Sequence, residues 1–126
     1  ALAVAKYLEQ NDKVAYVNYC GLENDKYHAL AEKYLPNGSC GVVSFGVKGG
    51  RKAAEEFMKH LKLGSIETHV ADARTCCLHP ASATHRQMND EELTACGVYP
   101  DLVRYSCGLE DAKDLIADLE QAFAQI

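Results

Sequence analysis

Apolar residues along the chain recur at two spacings, and the switches between them predict alternating helices and strands. Leu2, Ala5 and Leu8 stand at helical spacing, so residues 1–10 read as a helix closed by the turn pair Asn11-Asp12. Val14 to Tyr19, rich in β-branched and aromatic residues, reads as a strand ended by Gly21. A helix is expected from about Asp25 to Leu35, with Asn24 as its cap, Tyr27, Leu30, Ala31 and Tyr34 on one face, and Pro36 as its stop. Gly41 to Val47 is a second strand, and Gly49-Gly50 turns it into a helix with Ala53, Ala54, Phe57, Met58 and Leu61 on one stripe. Arg51 and Lys52 open that helix against its dipole. Ile66 to Val70 and Thr75 to Leu78 read as short strands, and Asn89 with Glu92 as a capping box for a helix ending at Gly97. The pattern closes with a strand, Leu102 to Cys107, and a helix, Asp111 to Ile126, that presents Ala112, Leu115, Ile116, Leu119, Phe123 and Ile126.

Helices that recur between strands predict an α/β chain of the α+β two-layer sandwich type, a small sheet covered mainly on one face. With 126 residues and 48% apolar side chains, the chain suffices for one domain with a core that needs no staples. Net charge is -5 and the thirteen Lys and Arg are dispersed, which argues against nucleic acid or an anionic membrane surface as a partner. No apolar stretch nears the roughly 18 to 20 residues that span a bilayer, and no basic region leads into a hydrophobic one at the N-terminus. A cytoplasmic protein is the expectation. The six cysteines, with Cys76 and Cys77 adjacent and no Cys-x-x-Cys, are expected to be reduced. The opening helical spacing suggests the tail of a longer helix.

Arg104 interrupts an apolar strand, where alternation sets it on the face of Ser106 and opposite Val103, Tyr105 and Cys107. Two readings fit. One is an internal ion pair or an edge-strand charge that discourages aggregation; the other is a guanidinium that grips a ligand carboxylate. The run His79-Pro80-Ala81-Ser82-Ala83-Thr84-His85 concentrates hydroxyls, imidazoles and small residues between two elements. It reads either as a structural turn or as a site edge where other groups come close. His69, His79 and His85 with Cys76 or Cys77 lack the separations of a structural zinc site, so no metal is expected. Gly46-Val47-Lys48-Gly49-Gly50 departs from both phosphate-loop patterns and reads as a strand-to-helix turn.

Four stretches taken together, Val17 to Leu22, Ser44 to Gly50, His79 to His85 and Leu102 to Asp111, resemble the C-terminal part of the Cys/Met-metabolism family of pyridoxal-phosphate enzymes. The His-Pro-Ala-Ser-x-Thr-His and Arg-x-Ser-x-Gly-x-Glu-Asp runs carry most of this resemblance. Within the family, Phe45 to Gly50, Leu61-Lys62-Leu63 and His85-Arg86-Gln87 are most similar to O-acetylhomoserine sulfhydrylases. The resemblance implies the small C-terminal domain of a fold-type I transferase, residues 1–126 closing over the substrate and residues 1–10 ending an interdomain helix. Pyridoxal 5′-phosphate would be bound by an N-terminal domain lying outside these residues. The family's cofactor lysine follows a Thr in a Ser-x-x-Thr-Lys-like stretch, and none of the nine lysines here follows Ser or Thr.

By the same resemblance, Arg104 matches the arginine that binds the substrate α-carboxylate, and Thr84 matches a threonine that supports that contact. A Ser or Asn ten residues before the His-Pro pair assists in many members, and His69 occupies its place here. The implied activity of the intact enzyme is replacement of acetate by sulfide on O-acetyl-L-homoserine, in a homodimer or homotetramer, with these residues inactive alone. Cystathionine γ-synthase, cystathionine lyase and methionine γ-lyase share the domain and stand as alternatives. A free-standing α/β module binding a small acid or a protein, and a thiol-redox or metal module, are alternatives of other classes.

Overall fold

The computed structural model describes residues 1–126, whose elements run α1 (Leu2–Gln10), β1 (Val14–Asn18), α2 (His28–Tyr34), β2 (Val42–Val47), α3 (Gly50–His60), β3 (Ser65–Ile66), β4 (Cys76–Leu78), a single 3-10 turn (Pro80–Ser82), α4 (Asp90–Ala95), β5 (Leu102–Ser106) and α5 (Ala112–Phe123). The strands form one five-stranded sheet in the order β1-β2-β5-β4-β3. Three of its pairings are antiparallel, and only the short β3 runs parallel to its neighbour β4. The longest ladder joins β2 to β5, with Val43 facing Tyr105, Ser44 facing Arg104 and Phe45 facing Val103.

Alternation sorts these strands into two faces. Val43, Phe45, Val47, Cys77, Val103 and Tyr105 lie on one, all fully buried, and helices α1, α3 and α5 cover it. Val4, Ala5 and Leu8 of α1, Ala54, Phe57 and Met58 of α3, and Leu115, Leu119, Ala122 and Phe123 of α5 fill the space between the layers. An aromatic cluster anchors it: Phe57 meets Phe45 edge-on at 5.8 Å and lies 4.5 Å from Phe123 between ring centroids. Ser44, Leu78 and Arg104 occupy the other face, away from the helical layer.

The Gly49-Gly50 turn between β2 and α3 requires its glycines, because both take left-handed φ, 103° and 74°. The Asn89 capping box is formed, its side chain accepting from Glu92 N and the Glu92 carboxylate from Asn89 N, each at 2.9 Å. No helix is long and apolar enough to cross a membrane.

Two elements differ from the periodicity. The helix expected from Asp25 begins only at His28, and Asn24 caps nothing there; its amide donates to Glu9 instead. The Asp25 carboxylate accepts from Tyr27 N at 2.8 Å, and successive turns bond Asp25 N to Leu22 O and His28 N to Asp25 O, so local side-chain bonding competes with the first helical turn. Nor is its apolar face buried, since of Tyr27, Leu30, Ala31 and Tyr34 only Ala31 is covered. The strand expected over Ile66 to Val70 stops at Ile66, and beyond it the backbone bends, with Ala71 left-handed at φ 57°.

Candidate functional site

Arg104 lies on β5, the middle strand of the five, which excludes an edge-strand charge as the reason for it. An internal ion pair is excluded too, because its guanidinium meets no carboxylate. Nη2 donates to the carbonyls of Thr68 at 2.7 Å and His69 at 3.3 Å, while the buried Nε–H has no partner. Nη1 is likewise without a protein acceptor. The guanidinium thus keeps its charge without a protein counter-ion and holds donors that no protein acceptor uses.

The register explains the surroundings. Ser44 of β2 and Leu78 of β4 flank Arg104 as its direct cross-strand neighbours. With Val42, Leu102, Thr84 and His85 they line an open groove of about 510 Å³ on the face turned from the helices. One wall comes from the His79 run, which leaves β4 and wraps into the 3-10 turn. The turn has its own fixings, for His79 is buried, its Nε2 lies 2.7 Å from the Pro100 carbonyl and its Nδ1 2.8 Å from the Ser82 hydroxyl. Since a carbonyl only accepts, Nε2 carries the proton donated to it, and in the neutral ring Nδ1 accepts from Ser82. The run divides between two surroundings. His79 and Ser82 build the turn; Thr84 and His85 face the groove, with Thr84 Oγ1 and His85 Nδ1 2.9 Å apart.

The structure brings Arg104 and Thr84 to one groove and leaves the His69 side chain outside it. That imidazole is two-thirds exposed and pairs with Glu67 at 3.0 Å, so only the His69 carbonyl reaches Arg104. Sequence reasoning missed Ser44 as a lining residue and marked His85 only as the end of the His79 run. Alternation against buried Phe45 could have found Ser44, since it puts the hydroxyl on the face of Arg104.

The cysteines give no second centre. All six are free, and burial pushes the thiols of Cys76 and, more strongly, Cys77 above their ordinary value, which keeps them protonated near neutrality. No group of three or more His, Cys, Asp or Glu side chains converges as a metal site would need. Tyr105, beneath the groove on the buried face, holds a hydroxyl without a partner, and burial raises its pKa.

A family model described as Cys/Met metabolism PLP-dependent enzyme matches residues 1–124. Homocysteine synthase of Schizosaccharomyces pombe is 48% identical over 97% of this chain and 28% of its own length. O-acetyl-L-homoserine sulfhydrylase of Leptospira meyeri is 42% identical over 100% of this chain and 29% of its own. A crystal structure described as an O-acetylhomoserine (thiol)-lyase of Campylobacter jejuni, carrying N′-pyridoxyl-lysine-5′-monophosphate, superposes with a TM-score of 0.89 at 36% identity, covering 98% of this chain and 30% of that one. The chain thus spans less than a third of the length of the relatives it matches.

Proposed function

Because the chain belongs to the Cys/Met metabolism family of PLP-dependent enzymes, we propose that residues 1–126 are the C-terminal, substrate-closing domain of an enzyme that replaces the acetate of O-acetyl-L-homoserine with sulfide to give homocysteine. The names of relatives at 42 to 48% identity support that choice of reaction. No lysine lines the groove, so the residues present do not fit covalent attachment of the cofactor, which we assign to a preceding part of the polypeptide. When bound there, pyridoxal phosphate supplies the electron sink for chemistry on the amino acid.

The contribution of this domain is fixation. One observation carries the reading: a guanidinium on the central strand, unpaired with any carboxylate, with free donors and a groove beside it. Arg104 binds the substrate α-carboxylate through charge-assisted hydrogen bonds, and the Thr84 hydroxyl at the groove edge supports that end of the substrate. Holding the carboxylate orients the rest of the amino acid toward the reacting groups, which is worth far more than affinity alone.

Kinetics of Arg104 variants in the full-length enzyme test this. Loss of a charged partner in a binding site costs about 2 to 5 kcal/mol, so Arg104→Ala is expected to lower kcat/KM by roughly 30-fold to several thousand-fold while cofactor occupancy stays normal. Arg104→Lys recovers only part, since a single ammonium must serve both the loop carbonyls and the ligand. An unchanged kcat/KM alongside a lowered melting temperature would reject the assignment and leave Arg104 a purely structural residue.

A further inference from the structure

Arg104 is on a rigid strand, yet its guanidinium is aimed from elsewhere. Both acceptors of Nη2, Thr68 and His69, lie past the last backbone bond between this stretch and β4, from Glu67 N to Cys77 O at 3.1 Å, where no strand pairing holds the backbone. The segment from Glu67 to Thr75 is tied instead to the residues just after Arg104. Ser106, 1% exposed, accepts the N–H of Ala71 on its hydroxyl at 3.1 Å, and Ala71 is the one non-glycine residue with left-handed backbone. Glu110 accepts from the backbone N–H and the hydroxyl of Thr75, at 2.7 and 2.8 Å, and that hydroxyl in turn accepts from Gly108 N at 2.9 Å. Leu109 N donates to the Ala73 carbonyl at 2.9 Å. The contact is close enough that a Cβ on Gly108 would stand 2.5 Å from backbone atoms of Ala73 and Arg74.

We infer that Ser106 and Glu110 are positioning residues for substrate binding: they hold the 67–75 segment so that the Thr68 and His69 carbonyls orient Arg104, leaving its remaining donors for the carboxylate. This rests on the role proposed for Arg104. Arg104, Ser106 and Glu110 of the Arg-x-Ser-x-Gly-x-Glu run then serve one end, the first residue meeting the ligand and the later ones fixing it. A left-handed Ala71 is costly by itself and persists because its N–H has a buried acceptor.

The test is a double-mutant cycle in the full-length, cofactor-loaded enzyme. Ser106→Ala is expected to raise the KM for the amino-acid substrate about 5- to 20-fold with kcat changed far less, and Glu110→Gln, which keeps one acceptor oxygen of two, to do so more weakly. On an Arg104→Ala background the same changes are expected to move KM less than about 2-fold, because residues that act through one another are not additive. Equal KM effects with and without Arg104, or no KM effect from either variant, overturns the positioning role. If Arg104→Ala itself leaves KM normal, the failure lies with the carboxylate contact instead. Should Ser106→Ala fail to fold, the Glu110→Gln arm of the cycle decides alone.

Discussion

Glu110 carries a pH dependence whose sign follows from its contacts. Burial works against its charged form, but hydrogen bonds from the Thr75 N–H, its own backbone N–H and the Thr75 hydroxyl together outweigh that, and the carboxyl is held below its ordinary value of 4.5. A group with a depressed native pKa adds stability that is fully present above the unfolded value and is lost as pH falls through the native one. Glu110→Gln is therefore expected to be less stable than the parent at neutral pH, with the gap narrowing as pH drops below 4.5. Denaturant unfolding at a series of pH values measures it, and a gap that stays constant into acid contradicts the account. At this scale the sequence was half legible. Alternation put Arg104 and Ser106 on one face, as observed, but the choice between an ion pair and an open cation depends on which side chains approach from β2 and the 67–75 segment. His69 shows the same limit: the resemblance gives it the place of a substrate-assisting residue, while its imidazole turns outward to Glu67 and only its carbonyl meets Arg104.

Among the elements, helix α5 depends on a charge that its apolar pattern does not announce. Asp118 is 6% exposed, and its carboxylate accepts the N–H groups of Lys62, Leu63 and Gly64 at 2.8, 3.0 and 2.9 Å, where the chain leaves α3. Three backbone donors that α3 cannot satisfy are thus met by a neighbouring helix. Asp118→Ala is expected to cost about 1 to 3 kcal/mol by leaving these donors, of which that of Gly64 is buried, without their partner, and Asp118→Asn less, as it retains one acceptor oxygen. Urea unfolding of the two variants checks the order; equal stabilities for wild type and Asp118→Ala dismiss the docking role. Strong periodicity was read correctly in α1, α3, α5, β2 and β5, because those elements each bury one face against the common core. It misled at α2 and after β3. In both places polar groups of the chain itself, Asp25 in one and Ser106 with Arg104 in the other, capture the backbone that a regular element would have used.

For the molecule as a whole, the layer of helices α1, α3 and α5 packs on the sheet around a core of 19 buried residues drawn from residues 4 to 123. That core is internal to these 126 residues, so the expectation is a single cooperative unfolding transition for this chain produced alone. Its groove faces the other way and contains no lysine. Folding and cofactor binding should therefore separate. Purified alone, the chain is expected to show native-like circular dichroism and one melting transition, yet to release added pyridoxal phosphate on dialysis, whereas the full-length enzyme retains it in stoichiometric amount. Lysines on the surface will form some imine with excess cofactor, but that adduct has no defined site, so it should be reversible and spread over many positions. Trapping with borohydride followed by peptide mapping distinguishes the cases. One lysine labelled stoichiometrically after dialysis, among the nine available, would show that these residues hold the cofactor themselves and would overturn the division of labour proposed between this domain and the preceding one.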